Sequence, residues 1–165
     1  MEQKINEIRE ILQAADLSEL PAFISTYEKD LRTGVGVLVA KARKKIQEYE
    51  KEIARTEKMK EFEKKYSSFS YICGIDEVGR GPLAGPVVAG AVILKKDCDI
   101  LYLNDSKQLS EKKREELYDV IMEKAVSTGL GLVSPERIDE INILNATYEA
   151  MRQAIGELKQ APDLL

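Results

Sequence analysis

Hydrophobic positions in the first third of the chain follow helical spacing. Ile5, Ile8, Ile11, Leu12 and Ala15 recur every three to four residues and predict a helix with one apolar face. Asp16-Leu-Ser18 interrupts it, with Ser18 placed to cap a short helix running to Tyr27. Gly34 and Gly36 mark a second interruption. From Val37 to Tyr66 the pattern predicts one long, very polar helix. Its apolar positions Ile46, Tyr49, Ile53, Met59, Phe62 and Tyr66 form only a narrow stripe.

Past residue 70 the period changes. Tyr71-Ile-Cys-Gly-Ile75 reads as a short apolar strand, and Pro86-Val-Val-Ala-Gly-Ala-Val-Ile-Leu94 as a second, rich in β-branched residues. Asn104-Asp-Ser106 is a turn, after which Ser110 caps a helix carrying Leu117, Val120, Ile121 and Ala125 on one face. Thr128 to Val133 predicts a third strand. Ser134-Pro135 supplies the N-cap and first position of a short helix. Leu144, Tyr148, Met151, Ile155 and Leu158 then make a regular helical stripe ending before Pro162. Alternating strands and helices predict an α/β or α+β domain over residues 71–165. A small all-α module, residues 1–66, precedes it, and Ser67-Ser-Phe-Ser70 (67–70) serves as linker.

Composition narrows the chemistry. The 165 residues include no histidine, which excludes Ser-His and Cys-His catalysis, imidazole acid–base steps and His-ligated metals. Carboxylates, Lys, Arg and backbone groups must carry any reaction. The net charge of -4 argues against a uniformly basic nucleic-acid binder. That average conceals a basic stretch over residues 41–65. Lys41, Arg43, Lys44 and Lys45 belong either to a solvated helix laced with Glu–Lys pairs or to a face lying along a nucleic-acid backbone. Cys73 and Cys98 form no disulfide framework, and no secretory signal or membrane span is expected, so the expected location is cytoplasmic.

One stretch stands apart: Gly74-Ile-Asp-Glu-Val-Gly-Arg-Gly-Pro-Leu-Ala-Gly85. Asp76 and Glu77 sit at the exit of an apolar strand, where a turning backbone lets both approach one cation. Neighbouring glycines let backbone approach a ligand closely, and Arg80 between two of them is a fork suited to phosphate. A Gly-rich β-turn with a solvent-facing Asp-Glu pair is the plain alternative. The glycine spacing fits neither a dinucleotide fingerprint nor a P-loop, and Pro82 disturbs the helix start that the former needs.

The order of residues says more than their types. Ile75-Asp-Glu-Val-Gly-Arg-Gly-Pro-Leu-Ala-Gly-Pro-Val-Val-Ala-Gly-Ala-Val92 closely resembles the opening motif of the ribonuclease HII family. The resemblance continues through Asn104 to Leu117 and through Ile138 to Thr147 with Ala150-Met151. It covers roughly residues 71–165. Residues 1–66 resemble, more weakly, the N-terminal extension of some bacterial members.

The resemblance implies an RNase H-like mixed sheet flanked by helices. It also implies an endonuclease that cleaves the RNA strand of RNA–DNA hybrids and nicks ribonucleotide-containing duplex DNA 5′ of a lone ribonucleotide, as in ribonucleotide excision repair. Asp76 and Glu77 match the first two metal-binding carboxylates, for Mn2+ or Mg2+. Gly79, Arg80 and Gly81 match the motif that senses the ribose 2′-hydroxyl. Lys107 matches a residue near a backbone phosphate, although an isolated lysine before a helix is more simply an exposed side chain. No obligate protein partner is implied.

The family pattern has four acidic ligands, the third on a strand following a segment like Ala161-Pro-Asp-Leu-Leu165. In that pattern the acidic residue beside the proline precedes the strand, so Asp163 is not the third ligand. The chain therefore reads as a family member truncated at the C-terminus, expected to be weak or inactive. Its central sheet is expected to lack a strand, leaving an edge and part of an apolar face uncovered. The competing expectation is a non-catalytic nucleic-acid-binding or helical interaction protein acting through residues 37–66.

Overall fold

The computed structural model describes residues 3–81 and 84–165, so Pro82 and Leu83 of the glycine-rich motif lie outside the described residues. The chain packs as two units, residues 1–59 and 60–165. This division falls ahead of the linker expected at 67–70.

The first unit is helical: α1 (Ile5–Ala14), a 3-10 turn (Leu17–Glu19), α2 (Leu20–Tyr27) and α3 (Thr33–Met59). Ile8 and Leu12 of α1, Leu20 and Phe23 of α2, and Val35, Leu38, Val39 and Ala42 of α3 bury one another in its core. Asp16, rather than Ser18, opens the second helical stretch. Its side chain and that of Glu19 satisfy each other's backbone N–H groups in a capping box. Gly34 and Gly36 do not interrupt the chain but lie in the first turns of α3. A Cβ on Gly34 would sit 2.9 Å from Ile5 Cδ1, so the glycine lets α1 and α3 close on one another. The long polar helix starts four residues earlier than the pattern suggests and ends at Met59.

The second unit contains a five-residue helix α4 (Glu61–Lys65), β1 (Cys73–Val78), β2 (Val87–Leu94), α5 (Glu111–Lys124), β3 (Ala125–Val133) and α6 (Pro135–Gly156). The three strands form an antiparallel sheet in the order β1-β2-β3. A parallel bridge between Ile72 and Leu164 adds a segment that runs in the same direction as β1, so the pairing is mixed. Val87, Ala89, Ala91 and Ile93 alternate onto one face of β2 and are fully buried with Cys73 and Val133. Ser110 and Ser134 cap α5 and α6 through their hydroxyls, as their positions predict.

The helix that covers the sheet corrects the expected stripe. Leu144 and Tyr148 are exposed, whereas Ala146, Thr147, Ala150 and Ala154 are buried. The cause lies in β3. A Cβ on Gly129 would collide with the Ala154 carbonyl oxygen, and one on Gly131 with that of Ala150. Two glycines facing a row of alanines bring helix and sheet backbones together and leave no room for larger side chains at those positions, while Met151 and Leu158 of the expected stripe pack partly buried against the same core. The helix is also broken at Asn142 (φ 67°, ψ 162°), whose Oδ1 accepts the Asn145 backbone N–H and caps the second half.

Candidate active site

β1 runs further than its apolar residues suggest. It includes Asp76, Glu77 and Val78, so the two carboxylates lie within the strand rather than at its exit. Pleating separates them. Glu77 shares the face of Cys73 and Ile75 and sits opposite Ala89, which is fully buried and pairs in turn with Gly131. Asp76 lies on the other, open face, opposite Gly90 and, one strand further, the exposed Leu130. The ladder to β2 holds both residues in strand geometry, so the backbone does not turn between them, and their side chains leave from opposite faces near the end of β1.

Each carboxylate has a local partner. Asp76 Oδ1 accepts the Glu77 backbone N–H at 2.9 Å. Glu77 Oε1 accepts from the Arg80 guanidinium at 3.3 Å. Gly79 makes that second contact possible. Its φ of 93° lies in the left-handed region, and a Cβ there would collide with the carbonyl oxygen of Pro86. The chain can therefore turn tightly between Val78 and Arg80, bringing residue 80 back onto residue 77. No described residue lies within 4 Å of where a Gly81 side chain would begin.

Lys107 occupies a 3-10 turn, Ser106–Gln108, capped by Asp105, whose side chain accepts the Lys107 backbone N–H at 2.9 Å. The Lys107 side chain is exposed and makes no hydrogen bond or ion pair among the described residues. The structure thus joins Glu77 to Arg80 and packs Gly79 on Pro86, but shows no contact between Lys107 and that group. Asp163, set aside above as a ligand, has a different place: its carboxylate accepts the backbone N–H groups of Ser70 and Tyr71. Only the proline beside it hinted at a structural role.

Among the described residues no three Asp, Glu or Cys side chains gather closely enough to hold a metal ion. In kind, the donors do fit one. Asp76 and Glu77 are hard oxygen ligands, the type that Mg2+ and Mn2+ prefer, and both reach solvent. They are two of the oxygens such an ion needs. The burial of Cys73 at the start of β1 raises its thiol above the usual cysteine range, which keeps it protonated and inert. No helix among the described residues is long and apolar enough to cross a membrane.

The Ribonuclease HII family model matches residues 73–164, and the Ribonuclease HII N-terminal domain model matches residues 4–67. The chain belongs to the ribonuclease HII family. Ribonuclease HII of Lachnoclostridium phytofermentans is 55% identical over 165 residues, covering 100% of this chain and 65% of its own. Ribonuclease HII of Clostridioides difficile is 48% identical, covering 99% of this chain and 65% of its own. The chain thus spans 65% of the length of these curated relatives. A solved ribonuclease H2, from Pyrococcus horikoshii OT3, shares 30% identity with a TM-score of 0.45 over 56% of this chain and 46% of its own.

Proposed function

We propose that the chain carries part of the active site of a metal-dependent endoribonuclease. Its substrates would be RNA–DNA hybrids and ribonucleotide-containing duplex DNA, nicked on the 5′ side of the ribonucleotide. The observation that carries this reading is the arrangement on one short stretch: adjacent carboxylates Asp76 and Glu77 on β1, followed at once by a turn that holds Arg80 against Glu77. Family membership supports the reaction class.

Asp76 and Glu77 would hold Mn2+ or Mg2+. When bound, such ions orient and acidify a water and stabilise the leaving oxygen of an in-line displacement. The other groups recognise the substrate. Gly81, crowded by no described residue, and the left-handed Gly79 let main-chain atoms come close to a ribose 2′-hydroxyl, the group that separates RNA from DNA. Arg80 presents a planar donor array to a phosphate, and the unpaired Lys107 side chain adds a positive charge for the backbone. The absence of histidine is consistent with this all-carboxylate chemistry.

Two carboxylates do not readily hold two divalent ions, so the 165 residues by themselves are weak or inactive as a nuclease. We place residues 1–66 as a helical module joined through 67–70 to the nuclease domain at 71–165. The unpaired thiols of Cys73 and Cys98 support a reducing location, the cytoplasm.

Two measurements on the 165-residue protein test the reading. With Mn2+ and a DNA duplex containing one ribonucleotide, nicking is expected to be slight; robust 5′-side nicking overturns the claim of weak activity. In anisotropy titrations the ribonucleotide-containing duplex is expected to bind more tightly than the all-DNA duplex, with the preference lost in Arg80→Ala. Equal binding of both duplexes by the unmutated protein counts against the site.

A second reading places nucleic-acid binding on residues 37–66 without catalysis. It draws support from Lys41, Lys45, Lys51 and Lys58 of α3, which are exposed and make no ion pair among the described residues. Binding that survives Arg80→Ala but collapses on reversing these lysines to glutamate would favour it.

A further inference from the structure

We infer that Arg80 and a divalent cation compete for the Glu77 carboxylate, so that metal binding releases Arg80 toward a substrate phosphate. The inference rests on the reading of Asp76 and Glu77 as metal ligands and adds to it a coupling between the metal and the phosphate.

The two partners differ in their surroundings. The Glu77 side chain is only 20% exposed, on the face of the sheet that α6 covers, and its cross-strand neighbour is Ala89. A carboxylate so placed has lost part of its hydration and is stabilised by a nearby cation. Among the described residues that cation is Arg80, whose side chain is 51% exposed. The contact uses one guanidinium nitrogen, Nη1, so the remaining N–H donors of a five-donor fork face solvent. Arg80 is therefore a lid of positive charge on Glu77 that is itself only loosely held.

The turn geometry limits what else Arg80 can do. Gly79 is fixed against Pro86 in the left-handed region, and no described residue lies within 4 Å of a Cβ on Gly81. The backbone at residue 80 is thus anchored on one side, and on the other no described residue crowds it. The guanidinium can leave Glu77 by side-chain rotation alone, without breaking the β1–β2 ladder. A dication taking Glu77 removes the anionic partner and repels the guanidinium, and a phosphate then offers it a better one.

Linkage makes the coupling reciprocal. With no phosphate present, Arg80 opposes the metal; with phosphate present, Arg80 is drawn off and the metal binds more tightly. The contact is a half-exposed i,i+3 pair, so the effect is small: removing it should tighten Mn2+ binding about two- to five-fold.

The test is Mn2+ binding to the 165-residue protein without nucleic acid, followed by the disappearance of the free-ion paramagnetic resonance signal. Glu77→Gln and Asp76→Asn are expected to weaken binding. Arg80→Gln is expected to tighten it two- to five-fold, and Arg80→Lys to stay close to the unmutated protein. In a Glu77→Gln background, Arg80→Gln is expected to change little, because the contested carboxylate is gone. Equal tightening in both backgrounds would reduce Arg80 to a diffuse positive charge and overturn the competition. No change in Arg80→Gln, while the carboxylate variants weaken binding, overturns it and leaves the metal site standing. Mn2+ binding that is absent from the unmutated protein overturns the site and the competition together. Circular dichroism melts confirm that each variant remains folded.

Discussion

Asp163 holds the start of β1 from 92 residues away. One carboxylate oxygen, Oδ2, accepts the backbone N–H groups of Tyr71 at 2.9 Å and Ser70 at 3.0 Å. In return the Asp163 N–H donates to the Tyr71 carbonyl at 2.8 Å, and the Cys73 N–H donates to the Leu164 carbonyl at 2.9 Å. The clasp aligns the parallel bridge at Ile72 and Leu164 and orients the strand that carries Asp76 and Glu77.

Removing that acceptor should therefore be felt at the strand. Asp163→Ala is expected to lower stability by about 1–2 kcal/mol, because two N–H groups lose their partner where water only partly replaces it. Asp163→Asn, which keeps an acceptor oxygen, should recover part of the loss. Urea titrations of the three proteins check the order; an alanine variant as stable as the original would show that the clasp contributes nothing.

The close approach of α6 to β3 leads to a second expectation. Gly131→Ala puts a methyl group against the Ala150 carbonyl and should destabilise by about 2–4 kcal/mol, within the range of severe overpacking. Gly74→Ala is the control: nothing lies within 4 Å of its added methyl, and its cost should stay within about 0.5 kcal/mol. Parallel thermal melts separate the two. Equal melting temperatures would mean that helix and sheet pack less tightly than these backbones indicate.

These packing features explain which parts of the structure were readable from residues alone. Ser110 and Ser134 were legible as caps because a cap is a local hydrogen bond between neighbours in sequence. The buried face of α6 was not. Its alanines carry little hydrophobic signal, and the glycines that select them lie on another element. β1 was read too short because Asp76 and Glu77 interrupt its apolar run, although the ladder to β2 carries the strand past both. In the site, the candidate residues are proposed from their order in the motif. The pairing of Arg80 with Glu77 was not legible, since it depends on the left-handed turn at Gly79 and the crowding of Pro86. The clasp at Asp163 leaves almost no trace in sequence, because its partners are backbone groups that any residue provides.

The first unit offers a titration with a definite sign. Arg32 forks onto Asp30, with Nε 3.0 Å from Oδ1 and Nη2 2.6 Å from Oδ2, and its backbone N–H adds a third donor. These bonds, the side-chain ones foremost, pull the Asp30 carboxyl from 3.8 down to about 2. A carboxyl that is more acidic when folded stabilises the fold above its unfolded value near 3.8, and the contribution is lost as the pH falls toward 2. Arg32→Gln should return the Asp30 carboxyl toward its ordinary range and flatten the acid arm of the stability curve between about pH 4 and 2. Carbon-13 carboxyl titration reads the first effect and acid melts the second. An unmoved Asp30 midpoint in the variant would show that Arg32 is not its cause.

The face of the sheet opposite α6 carries Leu130, 69% exposed, and Leu132, 56% exposed, with the exposed Val78 at the far strand. Apolar side chains standing together on an uncovered sheet favour association with any similar surface, and the cost of leaving them wet scales with the area shown to water. Replacing both leucines by threonine introduces β-branched residues that favour a strand while removing most of the apolar contact area. Because neither side chain contributes to the buried core on the α6 side, the double variant should melt within a few degrees of the original protein. The original is expected to self-associate as concentration rises, and the variant to sediment as a monomer throughout. Both quantities come from one sample series, by thermal melts and sedimentation velocity at rising concentration. If the two proteins associate alike, the attraction lies elsewhere on the molecule. If the variant melts much lower, these leucines support the fold in a way their exposure does not indicate.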